Sequence, residues 1–371
     1  MKRIHYICNF DNQDSGYSLN TQASTNSKAS YILHSLVEVG FNVAIHSTAI
    51  GNTCVKNKVK FYDNYSVEYF SSIGRNSIIH KILSNLLICI QLIHVWYSTP
   101  KNESFLLYHS LLTTKIFNIL RKISNRHLIF IEIEEVYSVV YRLSSKKIKS
   151  EIKMFSGYDG YILVNENIGN LCNIKNKSIV CHGIYLPSSL EDNIINKEKI
   201  YILYAGALNK DMDLAVDVAK LLPNNYHLCI LGYGSDEQIN DLKRIEQELQ
   251  KTTCATVKYY GCLFGEDYNS FLKKCNIGLC TRVVDGVESL YAFPSKILAY
   301  LSSNLLTIST PLRSIMESKL KSMVYLSNDF SAKSIADTIL LLTRENVTLN
   351  YSKELFKYHK EFVLQLETFF C

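Results

Sequence analysis

Three segments of the C-terminal half carry residue types suited to holding a phosphate. The first is Tyr204-Ala205-Gly206-Ala207-Leu208-Asn209-Lys210, between a predicted strand and a predicted helix. Gly206 admits close backbone approach, the helix start favours an anion, and Lys210 adds a point charge. The second, Leu231-Gly232-Tyr233-Gly234-Ser235, is a Gly-x-Gly loop after the next predicted strand. It lacks a third glycine at dinucleotide spacing, which excludes a hydride-transfer cofactor. Tyr260, in Tyr259-Tyr260-Gly261, can stack on a base or fill a core. The third is Ala292-Phe293-Pro294-Ser295-Lys296-Ile297-Leu298-Ala299-Tyr300-Leu301. Pro294 suits a helix start, and the Ser295 hydroxyl and Lys296 ammonium are phosphate donors beside the backbone N–H groups. Taken singly, each segment is equally a plain turn or a helix start with a solvated lysine.

The N-terminal half offers acid–base candidates. Tyr108-His109-Ser110 ends one predicted strand, and Glu132-Ile133-Glu134-Glu135 ends another. Strand alternation puts Glu132 and Glu134 on one face and Glu135 on the other. The candidate catalytic residues are His109, Glu134 and Glu135, orienting substrate hydroxyls or acting as general base. The competing reading is a hydrogen-bonded strand-end histidine and carboxylates held in salt bridges.

The elements that must position these residues alternate strand and helix in both halves. Arg3–Cys8, Asn42–His46, Phe105–Tyr108, His127–Ile133, Gly160–Val164 and Ser178–Cys181 read as strands, with helices at Ser30–Val39 and Lys115–Ile123. The second half repeats the pattern from Ile200–Ala205 to Met323–Leu326. Such alternation gives parallel sheets with right-handed crossovers. The predicted fold class is α/β, two doubly wound Rossmann-like domains facing across a cleft. Residues 1–186 form the first domain and 187–350 the second. Residues 351–371 form an amphipathic helix docking on either domain. Ligands are expected beyond the carboxyl ends of the strands.

Of 371 residues, 47% are apolar and 20% charged, which excludes disorder. The eleven cysteines are scattered, with no Cys-x-x-Cys pair, so reduced thiols in a cytoplasmic protein are expected. The window Ile78–Trp96 is strongly apolar, but its His80, Lys81, Asn85, Gln91 and His94 argue for a buried or surface-seated helix over a spanning one. No signal-peptide pattern opens the sequence. Residues 1–190 hold 20 Lys and Arg against 12 Asp and Glu, whereas the remainder holds 20 against 22. Nucleic acid, an anionic membrane face and a phosphorylated substrate are the partners such a basic half allows. No nucleic-acid module accompanies the charge, so no nucleic-acid partner is expected.

In order, Tyr-Ala-Gly-Ala-Leu, Leu-Gly-Tyr-Gly, Tyr-Tyr-Gly, Ile-Gly-Leu-Cys-Thr-Arg, Phe-Pro-Ser-Lys and Leu-Leu-Thr-Ile-Ser-Thr-Pro-Leu span Tyr204 to Leu312. This series resembles the C-terminal domain of GT-B glycosyltransferases, close to glycosyltransferase family 4 and to its capsule and exopolysaccharide enzymes with a Phe-Pro-Ser-Lys segment. The resemblance implies a diphosphate near Gly206, Lys210, Gly234, Arg282, Ser295 and Lys296. Gly232, Tyr260, Glu288 and Phe293 complete the donor-site candidates. The family's two glutamates around this helix fall on Tyr291 and Ala299 here, and Glu288 is the candidate substitute for the first. In the N-terminal half, Asn20–Lys28 resembles the family's first cleft-facing loop.

The resemblance implies a retaining, metal-independent sugar transferase of cell-surface polysaccharide synthesis, with residues 1–186 as the acceptor-binding domain and 187–350 as the nucleotide-sugar-binding domain. No cofactor is expected, the nucleotide sugar being the substrate. The acceptor is a saccharide or a polyprenyl-diphosphate-linked saccharide, with the inner face of the plasma membrane as a candidate surface. Tyr291 and Ala299 motivate the alternative of a non-catalytic scaffold in a polysaccharide assembly. A sugar-nucleotide epimerase would need an acidic and histidine pair on the nucleotide domain, and no convincing one is present.

Overall fold

The computed structural model describes residues 2–12, 14–188, 193–194, 198–283, 290–344 and 348–370. The chain divides into two compact units, Met1–Ile184 with Lys360–Cys371, and Tyr185–His359. The boundary placed from sequence at 186/187 lies two residues from this division.

The first unit runs β1 (Arg3–Cys8), α1 (Ala23–Val39), β2 (Asn42–Ser47), β3 (Lys58–Phe61), β4 (Tyr65–Tyr69), α2 (Ile78–Ser98), β5 (Ser104–Tyr108) and α3 (Leu111–Ile123). It continues through β6 (Ile129–Ile133), α4 (Tyr137–Val140), α5 (Ser145–Met154), β7 (Gly160–Leu163), α6 (Glu166–Leu171) and β8 (Ser178–Val180). Its sheet has the order β3-β4-β2-β1-β5-β6-β7-β8. Only the β3–β4 pair is antiparallel. The strand order reverses between β1 and β5, the switch point beyond which doubly wound sheets bind ligands. The central strands are buried on both faces, which is why they read as unbroken apolar runs.

Beyond shifted element ends and the short helices α4 to α6, two departures from the sequence reading have a clear physical cause. The β3–β4 hairpin was not anticipated, because β3 is largely exposed and lysine-rich, with no core-facing alternation to betray it. Helix α1 begins at Ala23, seven residues before the expected Ser30. Its first turns are Ser-, Thr- and Asn-rich, a composition that favours loops in isolation. Tertiary bonds hold them: Asn26 accepts from the Asp11 N–H and donates to the Asp11 carbonyl, both at 2.8 Å.

The second unit contains β9 (Asn193–Ile194), β10 (Ile200–Ala205), α7 (Lys210–Ala219), β11 (Tyr226–Leu231), α8 (Asp236–Leu249), β12 (Thr256–Tyr259) and α9 (Gly265–Leu272). It continues with β13 (Ile277–Cys280), α10 (Lys296–Ser302), β14 (Leu306–Ser309), α11 (Arg313–Met316), β15 (Tyr325–Leu326), α12 (Ala332–Arg344) and β16 (Thr348–Leu349). The main sheet is β12-β11-β10-β13-β14-β15, parallel throughout. Its switch point lies between β10 and β13.

The last helix, α13 (Ser352–Phe369), contains the second boundary between the units. Within the second unit Tyr358 packs on Tyr185. Within the first, Phe362 stacks on Tyr31, while Phe369 and Phe370 close on Phe130. Gly160 makes room for this end: a Cβ there would meet Phe369 at 2.7 Å and Phe130 at 2.8 Å.

Candidate functional site

At the switch point of the second unit, helix α10 is fixed by one tyrosine. Tyr300 crosses β13 where Gly278 has no side chain, since a Cβ there would lie 2.3 Å from the ring. The Tyr300 hydroxyl accepts the Ala205 N–H at 3.0 Å, at the end of β10. One turn earlier, Lys296 is thereby laid over the Tyr204 ring, its ammonium 4.0 Å from the centroid. A Cβ on Gly206 would stand 3.2 Å from the same ammonium, and Gly206 sits at φ +154°. Among the described residues Lys296 has neither a hydrogen bond nor an ion pair. Burial lowers its pKa, with Arg282 adding to the effect and Asp211 opposing it. A half-buried cation disfavoured in this way gains most from an anion.

The neighbouring loops interlock. A Cβ on Gly232, at φ +153°, would lie 1.6 Å from the Gly206 carbonyl oxygen. The Gly206 N–H donates to the Leu231 carbonyl, and the Gly232 N–H to the Gly261 carbonyl, both at 2.9 Å. Glycine is therefore required at 232 by backbone-on-backbone approach. Gly234 serves packing, since a Cβ there would meet Leu208 and Gln238 at 2.8 Å. Lys210 is exposed on the first turn of α7. That turn carries its own acids, Asp211 and Asp213, and Asn209 caps the Asp211 N–H at 2.9 Å. The helix start thus carries negative side chains of its own beside the exposed Lys210. Asp211 also accepts the Val283 N–H at 3.0 Å, tying the loop after β13 to α7.

Arg282 is half-buried, and its backbone N–H and carbonyl both engage the Thr310 hydroxyl. Ser295 is exposed and makes no capping bond, while the Ile297 N–H is already taken by the Pro294 carbonyl. Phe293 is buried. Tyr260 is exposed at one edge, packed on Phe271 with Lys258 over its ring. Tyr291 and Ala299 are half-buried and carry no carboxylate. Glu288 lies outside the described residues.

In the first unit the predicted carboxylates meet a lysine that sequence reasoning left inside a loop. Lys28 projects from α1, is buried, donates to the Cys181 carbonyl at 2.6 Å and pairs with Glu134 at 3.0 Å. Burial opposes its charge, but Cys181, Glu134 and Glu132 outweigh it and hold the ammonium above the usual lysine range. Glu132 is fully buried on β6 and accepts a short hydrogen bond from the Tyr6 hydroxyl of β1. Burial first, then Glu134, push its pKa up to about 8. Glu132 and Glu134 share one face, as alternation required. Glu135 is half-buried and lies close enough to add to the burial that raises the Tyr137 hydroxyl. The group can therefore present a protonated carboxyl beside an ammonium–carboxylate pair.

His109 is placed differently from the other candidates. Its Nδ1 meets the Thr114 hydroxyl at 2.8 Å and its Nε2 meets Glu151 at 3.1 Å, with the ring buried. Burial depresses its pKa against the pull of Glu151. Glu151 also accepts the N–H groups of Tyr137 and Ser138 at 2.9 and 2.7 Å. Both ring nitrogens are committed to holding α5 and the start of α4, which leaves none for a substrate.

No family model matches the chain, and no curated protein matches it. Solved structures match it along its whole length. Sucrose-phosphate synthase from Thermosynechococcus elongatus is 12% identical, with TM-score 0.66, covering 100% of this chain and 96% of that one. Trehalose-6-phosphate synthase from Burkholderia multivorans is 10% identical, with TM-score 0.64, covering 100% and 94%. The E. coli trehalose-6-phosphate protein bound with UDP-2-fluoro glucose is 12% identical, with TM-score 0.64, covering 100% and 96%. The fold is thus GT-B, with two parallel-sheet domains, and the matched structures are of the trehalose- and sucrose-phosphate synthase type.

Proposed function

We propose that the protein transfers a sugar from a nucleotide-sugar donor to a saccharide or lipid-linked saccharide acceptor. The observation that carries this reading is the half-buried Lys296 ammonium beside Gly206, which has no anionic partner among the described residues, at the switch point of the second unit. A donor diphosphate there places its oxygens against Lys296, with Arg282 and the exposed Lys210 adding positive charge. Fixed cations of this kind stabilise the charge that builds on a departing nucleoside diphosphate, which is the reason to propose chemistry independent of metal. A structure with the same fold holds UDP-2-fluoro glucose, and another, from Burkholderia xenovorans, is in complex with glucose-6-phosphate. Both support the donor class, and the second supports an anionic sugar acceptor. Glu134, more exposed than the buried Glu132, is the candidate acceptor contact in the first unit, with Lys28 holding its carboxylate in place. Retention of configuration and a role in cell-surface polysaccharide synthesis rest on the sequence resemblance.

Ala299 favours a second reading, a nucleotide-binding scaffold without turnover, because the helix presents no carboxylate to ribose hydroxyls. Calorimetric titration with UDP, GDP and ADP, followed by radiolabelled sugar transfer to a lipid-linked acceptor, separates the two. Transfer supports the enzyme; binding without transfer supports the scaffold. Absence of both refutes the donor site.

A further inference from the structure

Helix α2 has an apolar face that is left exposed among the described residues. Ile79, Ile82, Leu86, Ile90, Ile93 and Tyr97 recur every three or four residues and are all exposed, Ile79 at 68% and Ile82 at 61%. Ile119 and Ile123 of α3, which packs against α2, are exposed as well. Contiguous apolar surface of this size marks an interaction site. Its surroundings are strongly one-signed. Residues 75–126 contain seven Lys and Arg and a single acid, Glu103. Lys81, Lys101, Lys115 and Lys122 are exposed.

The helix is long and apolar enough to cross a membrane. Its other stripe, however, belongs to the core of the first unit. Ser84, Ile88, Leu92, Val95 and Trp96 are buried, and Trp96 packs on Phe105, Phe117 and His127. Ser84 bonds the backbone of Ile73 and Gly74, and Gln91 clamps Ser71 at both its N–H and its carbonyl. A helix pinned in this manner lies along a surface and does not leave the fold to span.

We propose that the α2–α3 face docks the protein in the plane of an anionic lipid bilayer, with the α2 isoleucines in the acyl boundary and the lysines among the headgroups. Apolar area and basic flanks are the two contributions to interfacial binding, and a basic residue near an anionic surface adds about fivefold in affinity. A self-associating face would not need a margin of one charge sign, which repels a second copy. The inference is independent of the transferase reading, because its test measures no turnover.

The test is flotation of the purified full-length chain with phosphatidylcholine vesicles, with and without phosphatidylglycerol, alongside sedimentation velocity without lipid. The expected result is a monomer that floats with anionic vesicles and dissociates in high salt. Ile82→Glu with Leu86→Glu abolishes flotation. Lys81→Gln, Lys115→Gln and Lys122→Gln together weaken it about a hundredfold, from three such contributions. All five positions are exposed, so circular dichroism and Tm are expected to stay unchanged. Failure to float, equal binding to neutral vesicles, or a dimer dissolved by the two glutamates overturns the proposal.

Discussion

Replacing Lys296 with Met separates binding from folding. A charged hydrogen bond to phosphate contributes about 1.5–3 kcal/mol. Its loss raises the Kd for the nucleoside diphosphate about 10- to 150-fold. Stability responds differently. The ammonium has no anionic partner among the described residues, and burial already disfavours its charge. Removing it relieves that burden but forfeits the contact with the Tyr204 ring, about 0.5–1 kcal/mol. The two effects oppose each other, so unfolding free energy changes by less than about 1 kcal/mol, and Met fills much of the same space. Wild-type affinity falls as pH rises toward the lowered lysine pKa, because the neutral amine no longer attracts phosphate; the Met variant loses that dependence. Urea unfolding and calorimetric titration across pH measure both quantities. An unchanged Kd, or parallel losses of affinity and stability, would refute the reasoning.

Gly232→Ala forces a Cβ against the Gly206 carbonyl at a strained φ, so unfolding free energy drops by several kcal/mol, about 3 or more, with loss of nucleotide binding. Lys28→Met leaves the half-buried Glu134 carboxylate and the Cys181 carbonyl without their donor and costs about 1–3 kcal/mol, whereas Glu132→Gln, at a residue mostly protonated at neutral pH, changes stability by about 1 kcal/mol or less in urea titrations. Glu132 titrates higher in the folded chain than in the unfolded one. Its contribution is complete below the unfolded value near 4.5 and is lost as pH rises through about 8, so Glu132→Gln flattens that limb of a stability–pH profile. His5, lowered to about 4 by burial and then by His46, titrates below its unfolded 6.5; stability declines as pH falls across that window, and thermal melts from pH 7 to pH 4 should record the decline. His109→Phe is expected to lower stability by about 2 kcal/mol while leaving turnover per folded molecule unchanged, read by melts and transfer rates side by side.

The sequence was most legible where periodicity is strongest. Strands β1 and β10 fall on their expected bounds, because a parallel strand buried largely on both faces is a short apolar run between turn signals. Helix α1 was truncated because its first residues are held by side-chain bonds to a distant loop, a tertiary effect invisible to local propensity. The same error hid Lys28. A lysine among serines and asparagines reads as solvated, and only the fold brings Glu134 and the Cys181 carbonyl to it. Gly206 and Lys296 were singled out from type and position, yet their adjacency depends on Tyr300 crossing Gly278, a pairing no spacing announces. His109 illustrates the converse: a histidine at a strand end suggests chemistry until Thr114 and Glu151 are seen to occupy both its nitrogens.

The central claim is that a donor diphosphate is held by Lys296 beside Gly206. A crystal structure of the protein soaked with UDP and, in parallel, GDP tests it most directly. The account predicts diphosphate density at about 3 Å from the Lys296 ammonium, hydrogen-bond distance, over the Gly206 backbone. Diphosphate bound elsewhere in a fully occupied complex, with Lys296 left unengaged, would contradict it.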